Sequence, residues 1–295
     1  MTIRLRTYAK VNLYLAVGAR RPDGYHDIDT VFQTVSLYDD LAIDDAEELS
    51  VSMTLAEGVA GEPPPPGEDL VTRAARALAP GRGAALAVTK RIPLGAGLAG
   101  GSANAAGALV GLNRLWRLGL GDDELGGLAA VLGSDVPFCL VGGLARARGR
   151  GELVEPVRPG PPCWLVLGIS ERELSTAAVY AERDRLGPTR APDGGAAVLA
   201  AAAAGDARAL APLLRNDLAE AARTLRPEVA AGEQALLKAG ALAALVCGSG
   251  PTVLGLCEDA EHAAAVAAAC RGAFARVEVA SFHPVGVEPA TNMAG

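Results

Sequence analysis

Alternating and apolar segments divide the first third of the chain into strands and one helix. Residues 2–17 alternate and then become apolar, which predicts one or two strands. Residues 28–43 have the pattern of a hairpin-like pair of strands whose turn lies at residues 38–40. Another strand is predicted over 50–55. A helix follows over 69–78, where the aspartate at its start is typical of an N-cap.

The rest of the chain mixes apolar strand-like runs with alanine-rich helical spacing. Strands are predicted over residues 84–89, 164–169, 241–246, 253–257 and 277–282. Helices are predicted over residues 104–116, 122–132, 196–214 (broken at 205–206), 227–239 and 259–270, and one more starts at 216. Loops are predicted over residues 57–68 and 184–195, and the last ten or so residues read as disordered. Four prolines within residues 156–162 predict a boundary between two domains, residues 1–155 and 156–295.

Composition narrows the class of protein. Half of the residues are apolar and only 4% are aromatic, so the core must be built mainly from Ala, Leu and Val. The net charge of −7 without a basic run argues against a nucleic acid partner. No segment reaches the roughly 18 apolar residues of a membrane span. The five cysteines are scattered without a C-x-x-C pair, which predicts neither a zinc site nor a disulfide framework and fits a reducing cytoplasm.

One glycine-rich stretch carries the clearest chemistry. Residues 93–101 read PLGAGLAGG between a predicted strand and a predicted helix. Small residues let a ligand approach the backbone, and the free N–H groups of a helix start attract anions, so this stretch predicts a phosphate loop. Gly95, Gly97 and Gly100 also fit the G-x-G-x-x-G spacing of dinucleotide folds. Pro93 and the absence of a βαβ unit argue against that fold, and a tight turn without any ligand is the remaining alternative.

The segment from Pro93 to Ala103 resembles the second motif of the GHMP kinase superfamily. Three further stretches carry the resemblance: residues 9–13 (AKVNL), 21–26 (RPDGYH) and 132–138 (LGSDVPF). Residues 248–252 (GSGPT) resemble the third motif of the superfamily, although this sequence also fits a plain hairpin turn. The resemblance implies an α+β fold of two domains with the active site in the cleft between them. It also implies an ATP-dependent kinase that uses Mg²⁺ and phosphorylates a small molecule carrying a cytidine diphosphate group.

Within this resemblance, Lys10 and Asp135 correspond to the catalytic pair, with Asp135 as general base. Without it, Lys10 would be a lysine that snorkels at a sheet edge, and Asp135 a helix cap. The nucleotide would be bound by Lys90, Pro93, Leu94, Gly95, Ala96, Gly97, Leu98, Ala99, Gly100, Gly101, Ser102 and Ala103. Ser102 would also contact Mg²⁺, or would serve as an N-cap. Alanine at 96 and 99, where many relatives have glycine, indicates that those two positions do not need a positive φ.

The residues expected to bind the substrate are Asn12, Tyr25, His26, Thr176 and Tyr180. An aromatic ring and an imidazole on a glycine-hinged loop suit recognition of a base, although an exposed turn with an incidental histidine would look alike. The resemblance implies that Tyr25 stacks on the cytosine, that His26 forms a hydrogen bond with it, and that Tyr180 closes its other side. Asn12 lies two residues from Lys10 and would share its face of a strand.

Three other functions fit parts of the sequence. One is another small-molecule kinase of the superfamily, for homoserine or mevalonate. The Tyr25–His26 loop argues against it, because those substrates carry no cytosine. A catalytically silent nucleotide-binding regulator would not need both Lys10 and Asp135. An RNA-binding module is disfavoured by the acidic charge. We expect no membrane partner, and a monomer or a weak homodimer.

Overall fold

A sheet of eight strands and a sheet of four strands form the framework of a computed structural model that describes residues 2–59, 61–187 and 194–290. The strands are β1 (Ile3–Arg20), β2 (His26–Asp44), β3 (Leu49–Leu55), β4 (Ala84–Lys90), β5 (Leu144–Arg148), β6 (Leu153–Val157), β7 (Trp164–Ile169), β8 (Arg215–Asn216), β9 (Ala243–Val246), β10 (Val253–Cys257), β11 (Arg276–Ser281) and β12 (Val287–Pro289).

Ten α-helices occur in this described part of the chain. They are α1 (Leu70–Leu78), α2 (Gly100–Leu115), α3 (Asp122–Leu132), α4 (Val136–Val141), α5 (Thr176–Leu186), α6 (Gly195–Ala204), α7 (Ala207–Leu210), α8 (Ala219–Leu225), α9 (Pro227–Lys238) and α10 (Ala260–Cys270). Within the described ranges, no helix is both long and apolar enough to span a bilayer.

The larger sheet has the strand order β12-β1-β2-β4-β3, with β5 and β6 continuing from β2 and β8 alongside β1. The smaller sheet has the order β11-β7-β10-β9 and is antiparallel throughout. The largest core cluster contains side chains of both sheets, for example Leu13 and Leu144 from one and Leu165 and Leu254 from the other. The two sheets therefore share one apolar interior, and helices cover their outer faces.

The predicted hairpin over residues 28–43 is wrong, because β2 continues without a break through residues 38–40. It pairs with β1 from Ile28↔Val17 to Ile43↔Ile3. β1 and β2 instead form one long hairpin, whose turn lies between Arg20 and His26. The polar residues that suggested a turn have partners within the sheet instead, as described below for Asp39.

Two other predictions differ from the structure at their edges. The terminal residues expected to be disordered include β12, which pairs with Leu5–Thr7 of β1; residues 291–295 lie outside the described part. Helix α5 extends through the first residues of the loop predicted over 184–195, and residues 188–193 of that loop are likewise outside it. The change of sheet between β6 and β7 falls at the prolines, but β8 and β12 return to the larger sheet. The division into residues 1–155 and 156–295 stays a prediction.

A buried carboxylate, Asp39, connects the two central strands to the glycine-rich loop. Its side chain is fully buried and forms an ion pair with Lys90 at the end of β4. It also accepts hydrogen bonds from the backbone N–H groups of Arg91 (2.6 Å) and Ile92 (2.8 Å), which lead into the loop. Asn104 of α2 donates to the same carboxylate at 2.9 Å and accepts from Lys90 at 2.9 Å. One anion thus fixes β2, β4 and α2 relative to one another.

Helix α2 begins from a left-handed residue that is not glycine. Ala99 precedes the helix with φ 57° and ψ 30°, and no side-chain hydrogen bond caps the start. Ala99 therefore adopts a positive φ although its alanine side chain indicated that none is needed there, whereas Ala96 is outside the left-handed region. A Cβ in this conformation contacts the following carbonyl group and costs free energy.

We expect Asp39→Asn to lower the free energy of unfolding by about 3–5 kcal/mol, because it leaves the buried Lys90 ammonium without a counter-charge. Denaturant unfolding followed by circular dichroism measures this. Asp40→Asn is the matched control: Asp40 pairs with Arg91 at the surface, so its loss should change stability by less than about 1 kcal/mol. Equal effects of the two substitutions would contradict the role of Asp39.

Ala99→Gly should raise the free energy of unfolding by about 0.5–1 kcal/mol, because relief of the left-handed strain exceeds the entropy that glycine adds to the unfolded chain. The same unfolding measurement applies. Ala96→Gly serves as the control and should destabilise by about 1–2 kcal/mol, since it adds entropy to the unfolded chain and removes a buried methyl group without relieving any left-handed strain. A loss of stability in Ala99→Gly would contradict the strain.

Candidate active site

A cavity of about 870 Å³ opens between the glycine-rich loop, the hairpin of β1 and β2, and helix α5. Most of the residues predicted for the site line it. They are Lys10, Asn12, Tyr25, His26, Lys90, Pro93, Leu94, Gly95, Ala96, Gly97, Ala99, Gly100, Gly101, Ser102, Asp135, Thr176 and Tyr180. Two predicted residues lie elsewhere: the side chains of Leu98 and Ala103 are buried in the core and do not line the cavity.

The loop over residues 93–101 presents its backbone to this cavity. Gly95 and Gly97 adopt φ of 58° and 79°, and a Cβ on Gly97 would lie only 2.2 Å from the carbonyl oxygen of Cys247. Glycine is thus required there by a close approach as well as by conformation. The Leu98 carbonyl accepts a hydrogen bond from the Lys10 backbone N–H at 3.1 Å, which holds the loop against β1.

The start of α2 points unpaired donors at the same space. No hydrogen bond from a backbone N–H of residues 94–102 to another described residue is found, and the first intrahelical bond of α2 is donated by Ala103. A 16-residue helix adds partial positive charge to these N–H groups. Ser102 is the third residue of the helix and not its N-cap, so its hydroxyl remains available at the cavity wall. This arrangement suits an anion such as a phosphate group.

Lys10 and Asp135 meet on the cavity wall, with Nζ and Oδ2 3.5 Å apart. Lys10 is only 5% exposed, so it does not snorkel, and Asn12 accepts a hydrogen bond from its ammonium at 2.9 Å. Asn12 in turn donates to Thr30 at 2.8 Å, which fixes its side chain. Asp135 occupies the N-cap position of α4, but its carboxylate caps no N–H group and is about one-third exposed. The carboxylate therefore faces the cavity rather than the helix.

Lys90 has different surroundings from those of Lys10. Its ammonium lies beneath the loop, is 1% exposed and is engaged by Asp39 and Asn104. A Cβ on Gly100 would lie 2.9 Å from this ammonium. Direct contact of Lys90 with a nucleotide stays a prediction. Its contacts with Asp39 and Asn104 indicate that Lys90 supports the loop from beneath.

The other end of the cavity is aromatic and charged. Tyr25 is 53% exposed, with the Arg150 guanidinium 4.9 Å from its ring centre. The rings of His26 and Tyr180 are 5.1 Å apart. Burial raises the pKa of Tyr180 to about 12, and the negative charge of Asp135 acts in the same direction. Tyr180 is therefore a neutral phenol at physiological pH.

Helix α5 and the second glycine loop form the remaining wall. The hydroxyl groups of Thr176 and Ser249 are 2.9 Å apart. Asp184, two turns along α5, lies 2.8 Å from His26 Nε2. Burial alone would raise the pKa of Asp184, but its hydrogen bonds with His26 and Arg183 and the positive charge of Arg183 outweigh burial and lower it.

Several functional candidates were not predicted from the sequence. Arg20, Ser134, Arg150, Asp184 and Ser249 all line the cavity. Ser134 and Ser249 fall inside motifs already singled out, so each could have been included as a neighbour. Arg150 and Asp184 carry no local signal, because their partners Tyr25 and His26 are more than a hundred residues away.

Comparisons with known proteins agree with this geometry. Residues 69–143 match the family model of the GHMP kinases N terminal domain, and residues 198–276 match that of the GHMP kinases C terminal domain. Proteins named 4-diphosphocytidyl-2-C-methyl-D-erythritol kinase are similar: that of Nocardia farcinica is 51% identical, covering 92% of this chain and 90% of its own. That of a Nocardioides species is 47% identical, covering 95% and 97%.

A solved structure gives the same result. The crystal structure of a 4-(cytidine 5'-diphospho)-2C-methyl-D-erythritol kinase matches with a TM-score of 0.77 at 34% identity, covering 95% of this chain and 98% of that one. A homoserine kinase from Cytophaga hutchinsonii matches with a TM-score of 0.72 at 19% identity, covering 98% and 97%, which is a likeness of fold alone. By sequence and by structure, the chain belongs to the GHMP kinases, a family of small-molecule kinases, and within them to the 4-diphosphocytidyl-2-C-methyl-D-erythritol kinase family.

Proposed function

We propose that the protein transfers the γ-phosphoryl group of ATP to the 2-hydroxyl of 4-diphosphocytidyl-2-C-methyl-D-erythritol, in the non-mevalonate route to isoprenoids. The observation that carries the proposal is the Lys10–Asp135 pair, 3.5 Å apart, in the same cavity as the phosphate loop and the Tyr25–His26–Tyr180 corner. Phosphoryl transfer needs little covalent help from a protein. It depends on alignment and on neutralised charge.

The nucleotide end of the proposed site is the loop over residues 93–101 with the start of α2. Its free N–H groups would bind the β- and γ-phosphates and hold them by hydrogen bonds and helix charge. A rigid loop keeps these donors aimed as negative charge shifts during transfer, so they need no reorganisation. The contacts of Asp39 and Lys90 beneath the loop supply that rigidity.

Magnesium fits the donor set of this cavity. Within the described ranges, no group of three or more His, Cys, Asp or Glu side chains could hold a metal ion unaided. Mg²⁺ commonly takes one or two protein oxygens and completes its shell with water and phosphate oxygens, so the Ser102 hydroxyl would hold it beside the loop. When bound, it neutralises phosphate charge.

The acceptor hydroxyl would lie beside Asp135. The carboxylate accepts the proton of the 2-hydroxyl while the hydroxyl oxygen bonds to the γ-phosphorus of ATP and the bond from that phosphorus to the leaving ADP breaks. Asp135 can accept the proton because no helix N–H group occupies its carboxylate. Lys10 is held by Asn12 and Asp135, so its ammonium is placed to stabilise the negative charge that develops on the attacking oxygen.

The cytosine would occupy the aromatic corner at the far end of the cavity. The exposed ring of Tyr25 offers a stacking face, and the His26 and Tyr180 rings line the pocket beside it. Thr176 and Ser249 offer hydroxyl groups on the wall of the same cavity. Substrates such as homoserine and mevalonate have no base, so this corner favours the cytidylyl substrate over theirs.

Release of ADP with a panel of acceptors tests the proposed reaction. The purified protein is supplied with ATP, Mg²⁺ and either the cytidylyl methylerythritol, homoserine or mevalonate. Turnover with the cytidylyl compound alone is the expected result. Turnover with homoserine or mevalonate would identify that acceptor as the substrate instead. ATP binding without any turnover would favour a nucleotide-binding regulator.

Asp135→Asn should lower kcat by about 10²–10⁴-fold, because the amide cannot accept the hydroxyl proton. The Kd for ATP, measured by calorimetry, should stay near the wild-type value, since the loop is untouched. Asp123→Asn, at an exposed position in the first turn of α3, is the matched control and should leave kcat unchanged. A near wild-type kcat in Asp135→Asn would remove this residue from the mechanism.

Tyr25→Ala should raise the KM of the cytidylyl substrate about 10-fold, because stacking of a base on an aromatic ring is lost. The KM of ATP should remain within about twofold, since Tyr25 lies at the opposite end of the cavity from the loop. Tyr25→Phe preserves the ring and should behave like the wild type. Steady-state kinetics with both substrates varied decide the point, and equal increases in the two KM values would refute the stacking role.

A further inference from the structure

The contact between His26 and Asp184 has no place in the chemistry described so far. Oδ1 of Asp184 lies 2.8 Å from Nε2 of His26, although the two residues are far apart in the sequence. His26 is 7% exposed, and both side chains line the cavity at its aromatic corner. Asp184 thus places a carboxylate against Nε2 of the imidazole in the proposed base pocket.

Arg183 connects Asp184 and helix α5 to β1. The neighbouring Arg183 is buried; one of its terminal nitrogens donates to the carbonyl oxygen of Val17 in β1, and the other lies 3.3 Å from Asp184 Oδ1. Helix α5 is therefore attached at this point to the strand that leads into the Tyr25–His26 turn. The low pKa of Asp184 keeps it ionised, so it can only accept hydrogen bonds.

An acceptor at Nε2 determines which ring nitrogen carries the proton. A neutral imidazole has one N–H, and facing a carboxylate that hydrogen must lie on Nε2. Nδ1 is then left as an acceptor. No hydrogen bond of Nδ1 occurs among the described residues, and Nδ1 is not among their buried polar atoms that lack a partner. It is therefore accessible at the surface of a ring that lines the cavity.

We infer that Asp184 is a positioning residue that makes the pocket select cytosine over uracil, by holding His26 in the Nε2–H form. This inference rests on the proposed function, in which the corner binds a base. Cytosine presents an amino donor at position 4, whereas a 4-oxo base such as thymine or uracil presents an acceptor there. An Nδ1 acceptor pairs with the donor and is left facing an acceptor when uracil occupies the site, which costs affinity.

The alternative is that the pair is only a contact between α5 and the hairpin. In that case its loss would weaken folding, or the binding of every ligand, to the same extent. Selection between two bases of the same size separates the two interpretations, because a structural defect has no reason to depend on whether position 4 carries an amino group or an oxygen.

Calorimetric titration of the full chain with cytidine 5'-diphosphate and uridine 5'-diphosphate tests the inference under mildly alkaline conditions. The wild type should prefer the cytidine compound by about 10-fold or more. In Asp184→Asn the amide can either accept from Nε2–H or donate to Nε2, so both tautomers of the ring become accessible and the preference should fall to about twofold or less. Glu182→Gln, in which a surface ion pair with Arg185 is lost from the same helix, should retain the wild-type preference.

Two further measurements keep the test decisive if Asp184→Asn is less stable. In a His26→Ala background, Asp184→Asn should cause no further loss of preference, since the carboxylate acts only through the imidazole. Histidine ¹⁵N shifts should show His26 as the Nε2–H form in the wild type and a changed form in Asp184→Asn. The chain has only three histidines, and the spectrum of His26→Ala assigns the signal.

The outcomes separate this inference from the proposed function. Preference for the cytidine compound that persists in Asp184→Asn would overturn the role of Asp184 and leave the cytosine pocket standing. A wild type without preference between the two diphosphates would overturn both. Loss of preference together with the changed tautomer supports the assignment.

Discussion

The buried carboxylate of Asp39 is the constraint on which the rest of the site depends. It has four donors: the Lys90 ammonium, the Asn104 amide and two backbone N–H groups that lead into the glycine-rich loop. A charge removed from water in this way is tolerated only with a close counter-charge and satisfied hydrogen bonds. Because those donors come from β4, the loop and α2, satisfying one anion determines where the loop leaves the sheet and where the helix begins.

The site itself is assembled from parts that are distant in the sequence. Lys10 comes from the middle of β1, Asp135 from the start of α4, and Thr176 from the start of α5. They converge because the two sheets share one apolar core, so that the loop before β10 approaches the glycine-rich loop closely enough to require Gly97. Tight packing between the sheets therefore sets the width of the cavity as much as any polar contact.

The glycine-rich loop, its flanking strand and helix, and the proximity of Lys10 to Asp135 could be predicted from the sequence, because each has a local pattern or lies in a motif of the family that the chain resembles. It failed where a residue's role depends on contacts across the fold. Asp39 in a polar triplet suggested a turn, although a partner 51 residues away keeps it in a strand. Ala99 accepts a left-handed φ that its side chain disfavours, because the helix must start at that point. No local sequence pattern marks Asp184, since its proposed role depends on its contact with His26.

Strand β12 has a consequence for how the protein is made. It covers β1 next to the residues that lead to Lys10, and Ala290 donates a further hydrogen bond to Arg4. On the ribosome, β1 emerges more than 260 residues before β12. The edge of β1 that β12 covers therefore presents unpaired backbone groups until β12 has been synthesised, and such an open edge invites pairing with other chains. The larger sheet is completed only after β12 has been synthesised, so a nascent or truncated chain lacking residues 287–289 would carry an aggregation-prone edge that β12 covers in the folded protein.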